Sequence, residues 1–183
     1  MEQRFIKIIK NDNELMRLLN IVRKLDLPDA FIAAGAVRNL VWDSLHKYTN
    51  RTFLNDVDVV YFNSKDITPE ADLKIWKKLC EIDSGANWNV FNQARSHIKN
   101  KLRNKAYSTE EGIAYWIETP TCIGVRLNKD NSLTICAPHG LDDLMNLVVK
   151  AVPKPYQDLK LYNKRIEEKN WIKTWPKLQI ISS

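Results

Sequence analysis

The sequence predicts a mixed fold of the α/β or α+β class, and three observations carry that prediction. A short apolar run at residues 30–34 stops at Gly35, after which apolar residues recur at helical spacing. A β-branched and aromatic run begins with acids in Asn55-Asp56-Val57-Asp58-Val59-Val60-Tyr61-Phe62, and two further strand-like runs flank the polar turn at 128–131. Helices that precede and separate short strands, with at least one hairpin, imply a mixed sheet flanked by helices.

Taken in order, Asn11 or Asp12 can cap a helix that carries Leu15, Leu18, Leu19, Val22 and Leu25 on one face and ends at Leu27-Pro28. Residues 30–34 form a strand, Gly35 a turn, and Val37, Leu40, Val41 and Leu45 the apolar face of a second helix. The acidic strand at 55–62 follows, then a helix over 66–82 with Leu73, Ile75, Trp76, Leu79 and Cys80, and a short strand at 87–91. Ser108-Thr109-Glu110-Glu111 has the spacing of a capping box, which starts a short helix through Trp116. Residues 122–127 and 132–136 read as a hairpin. Leu141, Leu144, Leu147 and Val148 then predict a helix, and Pro155 opens a last polar helix towards Trp171.

With 183 residues, 44% of them hydrophobic and 27% charged, the chain suits a single domain over 1–183, its core about 28–137 and a helical C-terminal extension about 140–183. Met1-Glu2-Gln3-Arg4-Phe5-Ile6-Lys7 has no apolar signal core and no stretch nears the ~20 apolar residues of a membrane span, so a cytoplasmic address without a membrane partner is expected. Cys80, Cys122 and Cys136 lack any Cys-x-x-Cys spacing and read as buried thiols. Of the net charge of +6, five units lie in residues 150–183. A second basic stretch, Arg95, Lys99, Lys101, Arg103 and Lys105, contains no acid; it reads as a solvated face or as an attractor of polyanions.

The paired acids carry the chemistry. Side chains alternate along a strand, so Asp56 and Asp58 share one face while Val57, Val59 and Tyr61 turn to a core. Two carboxylates at that spacing suit a hard divalent cation, usually Mg²⁺, completed by substrate phosphate oxygens. Gly35-Ala36-Val37-Arg38-Asn39 stands where a strand becomes a helix, and a helix start offers unpaired N–H groups to an anion. Gly35 permits close approach, Arg38 can fork onto phosphate and Asn39 can donate its amide; tight packing of helix on strand explains the same small residues without a ligand.

The chain resembles bacterial nucleotidyltransferase-like proteins of unassigned substrate, within the superfamily of DNA polymerase beta-type nucleotidyltransferases. The resemblance covers most of the chain and rests on the order of seven segments: Gly35 to Asn39, Trp42-Asp43-Ser44-Leu45-His46, Asn55 to Phe62, Asn92-Gln93-Ala94-Arg95-Ser96-His97, Thr121-Cys122-Ile123-Gly124-Val125-Arg126, Ala137-Pro138-His139-Gly140-Leu141-Asp142-Asp143-Leu144, and Trp175-Pro176-Lys177-Leu178. It implies that the glycine turn holds a triphosphate, through Gly35, the Ala36 backbone, and Arg38 or Asn39, and that Asp56 and Asp58 bind Mg²⁺ or Mn²⁺ and act in catalysis. Arg95 and His97 resemble residues that reach substrate. Asn89 stands where the superfamily commonly has a third acid, and Glu118 is the substitute candidate, equally readable as a helix-end carboxylate. Asp43 reads either as a support for the site or as an exposed helix acid, and Trp171 and Trp175 as an anchor for the tail.

The expected function is transfer of a nucleoside monophosphate from a nucleoside triphosphate to a small molecule, a protein or an RNA end. The alternative is a nucleotide- or nucleic-acid-binding protein that kept the fold and lost turnover; a third reading takes the acids as a charged strand end.

Overall fold

Apolar residues at helical spacing build two helices before the first strand. In the computed structural model, which describes residues 1–99 and 104–182, these are α1 (Glu2–Lys10) and α2 (Asn13–Lys24). Lys101 and Arg103 of the basic stretch lie outside the described residues. Asp12 caps α2 by accepting from the Leu15 N–H at 2.7 Å, as expected. The sequence reading assigned no element to α1, whose Phe5 and Ile9, one turn apart, are fully buried.

The chain continues through β1 (Phe31–Ala33), α3 (Gly35–His46), β2 (Val57–Tyr61), α4 (Pro69–Ile82) and β3 (Trp88–Asn92). A 3₁₀ turn, Gln93–Arg95, leads into α5 (Ser96–Lys99), followed by α6 (Thr109–Ala114) and a second 3₁₀ turn, Thr119–Thr121. The hairpin is β4 (Gly124–Leu127) and β5 (Leu133–Cys136). The five strands form one mixed sheet in the order β3-β2-β1-β4-β5, with β2 and β3 parallel and the other pairs antiparallel. The expected mixed sheet flanked by helices is therefore the fold.

Alternation along β2 divides the interior in two. Val57, Val59 and Tyr61 join the main core with α2, α3 and the tail, while Val60 faces the other way with Phe31, Ala33, Ile113 and Cys136. That second face is only partly covered, by α6.

Two expected helices differ at their ends. The helix over 66–82 starts at Pro69, because Asp66 accepts from both the backbone N–H and the hydroxyl of Thr68, forming a turn that hands the cap to Thr68. The helix expected through Leu147 and Val148 stops early: α7 (Asp142–Met145) ends before Leu147, which has φ 60°, and β6 (Val148–Val149) pairs in parallel with β7 (Gln179–Ile180). Between them lie α8 (Leu159–Lys169), capped by Asp158, and α9 (Trp171–Thr174).

The tail is anchored as expected. Trp171 and Trp175 meet Trp42 of α3 edge-on, with centroids 5.6 and 5.0 Å away. Cys122 and Cys136 are buried thiols, whereas Cys80 is half-buried.

Candidate active site

The open face of the sheet carries a cleft of about 560 Å³. Its floor is Ala34 at the end of β1, Asp58 and Val60 of β2, and Asn89 and Phe91 of β3; Trp116, Glu118, Thr121 and Arg165 wall it opposite. Gln93 and Ser96 line it beyond β3. A smaller cavity of about 230 Å³ lies between α2 and β4, away from the paired acids.

Asp58 is half-buried, and burial together with the charge of Asp56 pushes its carboxyl up to about 6. Asn89 lies opposite it in the parallel register and donates to Oδ1 at 2.7 Å, which counters the rise in part. The neutral amide thus stands next to the paired acids, at the position that the apolar-polar-apolar pattern of β3 marked for a third carboxylate. Among the described residues no three His, Cys, Asp or Glu side chains cluster to hold a metal. Any ion on Asp56 and Asp58 must take its remaining ligands from water or substrate.

The turn between β1 and α3 has an unusual backbone. Ala34 caps α3 with φ 52° and ψ −124°, a conformation that L residues rarely adopt, and its C=O accepts from the Val37 and Arg38 N–H groups. The N–H groups of Gly35 and Ala36 then have no acceptor within the helix. A Cβ on Gly35 would stand 3.9 Å from Asn39 Nδ2 and 4.0 Å from Arg38 Nη2, so the expected phosphate-contacting groups converge on one point. Arg38 is buried and partly committed: Nη1 donates to Thr121 Oγ1 at 2.7 Å, Nε and Nη2 donate to Asn39 Oδ1, and the guanidinium lies over Trp42 and Trp171. Burial lowers its pKa to about 10, against the pull of the Glu118, Asp58 and Asp56 carboxylates.

Other expected residues sit differently. Glu118 lines the same cleft but is fully buried, and Arg165 of α8 donates to its two oxygens at 2.6 and 3.4 Å. Arg95 pairs with buried Asp72 and lies 4.4 Å over the ring of Phe91, and is not itself among the residues lining the cleft. His97 is not among the residues lining it. Asp43 is buried, neither exposed nor in the cleft: it accepts from the Thr52 N–H and hydroxyl and from Trp175 Nε1, tying the 47–56 loop and the tail to α3. His46 Nε2 accepts from the Lys177 N–H at 3.0 Å, so Nδ1 carries the proton and donates to the Trp42 carbonyl. These two residues hold the tail, not a ligand.

The profile of the nucleotidyltransferase family matches residues 20–180. The chain belongs to this nucleotidyltransferase family. Its fold is similar to an NMR structure described as a CCA-adding enzyme head domain, with 29% identity and a TM-score of 0.85 over 99% of this chain and 96% of that one. It is also similar to the Thermotoga maritima CCA-adding enzyme complexed with tRNA, at 15% identity and a TM-score of 0.61 over 97% of this chain, and to a CCA-adding enzyme complexed with CTP, at 12% identity and 0.60 over 98%. This nucleotidyltransferase spans 42% and 43% of those two longer chains. No curated protein sequence matches it.

Sequence reasoning passed over Ala34, Thr121, Arg165, Gln93 and Ser96 as site residues. Gln93, Ser96 and Thr121 lay inside segments already singled out, but nothing local to Arg165 pointed at a carboxylate 47 residues away.

Proposed function

We propose that this nucleotidyltransferase binds a nucleoside triphosphate with Mg²⁺ or Mn²⁺ and moves the nucleoside monophosphate to a hydroxyl or phosphate of an acceptor. The observation that carries this reading is the convergence on one cleft of Asp58 and Ala34, the residue that leads into Gly35; Asp56, beside Asp58, is not among the residues lining it. Two carboxylates on a half-buried face, with Asn89 donating to a single Asp58 oxygen, form a hard donor set that fits a divalent cation completed by phosphate. When bound, that ion neutralises charge on the α-phosphate and the departing pyrophosphate.

The chain's own residues do the positioning. The Gly35 and Ala36 N–H groups, the Asn39 amide and the remaining Arg38 N–H groups hold phosphate at the start of α3. Asp56, just ahead of β2, and Asp58 would hold the cation that the α-phosphate binds. Glu118 keeps the half-buried Arg165 on the opposite wall, where the N–H groups not given to Glu118 meet an anionic substrate, and Arg95, locked to Asp72, steadies Phe91 and the turn after β3. The acceptor is a small molecule, a protein or an RNA end; the tRNA complex of a structural relative supports RNA. Among the described residues no helix is long and apolar enough to cross a membrane.

A second reading, nucleotide binding without turnover, is favoured by Asn89 in the register of a third acid and by Glu118 being tied to Arg165. Calorimetric titration of the four ribonucleoside triphosphates, with and without Mg²⁺, tests the common part. Metal-dependent binding that weakens at least 100-fold in Asp56→Asn/Asp58→Asn is expected, and equal binding in the variant contradicts the assignment. Pyrophosphate release on adding acceptor then separates enzyme from binding protein.

A further inference from the structure

Five buried side-chain polar atoms among the described residues lack a hydrogen-bond partner, and four of them belong to Gln93, Arg95, Ser96 and His97. Native proteins leave few such groups, and concentrating them in one turn asks for a cause. Gln93 and Ser96 are 1% and 2% exposed, and both line the cleft that holds Asp58. Gly112 of α6 makes room for this amide, because a Cβ there would lie 2.6 Å from Gln93 Cβ and 2.7 Å from Oε1.

The strand geometry sets the spacing. Asn89 and Phe91 follow one another along β3 and Gln93 opens the turn directly after it, so the four steps from Asn89 to Gln93 cover about 13 Å. That matches the reach of a nucleoside from its 5′ phosphate to the far edge of its base. A nucleoside phosphate laid along β3 with its α-phosphate at Asp58 would set its ribose over Val60 and Phe91. Its base would then come to the half-buried Trp116, an aromatic residue of the same cleft.

Resting on the proposed nucleotide-binding reading, we propose that Gln93 and Ser96 are the specificity-determining end of the cleft and hydrogen-bond the edge of the nucleobase. An amide presents a donor and an acceptor side by side and a hydroxyl offers both, the complement of a base edge. Without nucleotide these groups stay unsatisfied; the correct base satisfies them and a wrong base leaves them buried and unpaired.

The test uses Gln93→Met, which keeps the length and packing against Gly112 but cannot hydrogen-bond, and Ser96→Ala, the smallest change. ATP, CTP, GTP and UTP are titrated calorimetrically with Mg²⁺ into each protein, with thermal melting as a folding check. The wild type is expected to separate its best and worst nucleotide by at least about tenfold, the worth of one good hydrogen bond. Gln93→Met should melt no lower than wild type and bring all four within about threefold, and Ser96→Ala should narrow the range in part. A folded Gln93→Met protein that keeps the wild-type ranking overturns the proposal, as does a wild type that binds all four alike through Asp56 and Asp58; in either case water satisfies these groups. Absence of any metal-dependent nucleotide binding by the wild type instead sinks the nucleotide-binding reading on which it rests.

Discussion

The two faces of the sheet treat their polar groups in opposite ways. On the face that receives the tail, Asp43 accepts three hydrogen bonds, His46 uses both ring nitrogens, and Trp175 Nε1 is paired, leaving Trp42 Nε1 as an exception. On the cleft face, Asp58 is held half-buried beside a second acid, and Gln93 and Ser96 end in unpaired atoms. One side spends its polarity on holding the chain together. The other keeps it in reserve, at a cost to stability that a ligand can recover.

The contrast breaks most visibly on the tail side. Trp175→Ala removes a buried indole from Trp42 and strips Asp43 of a donor, so it should cost roughly 3–5 kcal/mol and lower the melting temperature by about 10 °C. A change of only a degree or two in thermal denaturation would mean that the tail is not part of the folded unit. Arg165→Met comes next, since it leaves the fully buried Glu118 carboxyl without its partner. The expected loss is about 2–4 kcal/mol by chemical denaturation, shrinking in the Glu118→Gln/Arg165→Met double variant.

On the cleft side the sign reverses. Asp58 is pushed from its ordinary 3.8 up to about 6, so its ionisation opposes folding. The penalty is full above pH 6, fades as pH falls from 6 to 3.8, and is absent below that. Asp58→Asn should therefore raise metal-free stability at pH 8 by about 1–2 kcal/mol, a gain that vanishes near pH 4. Melting curves at the two pH values check this, and a destabilised variant at pH 8 would contradict it. The same carboxyl must ionise to hold a cation, so metal-dependent nucleotide binding should weaken about tenfold per pH unit below 6.

Local chemistry made much of this legible. The β-branched alternation of β2, the Ser108 and Asp12 caps and the polar hairpin turn each act within a few residues and appear where the sequence placed them, although β2 starts at Val57 and leaves Asp56 just ahead of the strand expected over 55–62. What stayed hidden depends on distant partners. Val148 and Val149 extend because Gln179 and Ile180 return beside them, and Arg38 is buried because Thr121 and Trp171 close over it. Arg95, read as a nucleotide ligand, meets Asp72 across a strand, and nothing in the order of residues announced that pair. The strained turn at Ala34 was equally silent, since alanine is not the residue that usually marks a positive φ.

The central claim is that Asp56 and Asp58 hold a divalent cation together with a nucleoside triphosphate. Electron paramagnetic resonance of Mn²⁺, titrated with a non-hydrolysable triphosphate into the wild type and Asp56→Asn/Asp58→Asn, addresses it directly. The account predicts that the wild type takes free Mn²⁺ out of solution when nucleotide is present, beyond the uptake by nucleotide alone, and that the folded variant does not. Equal uptake by both proteins would contradict it.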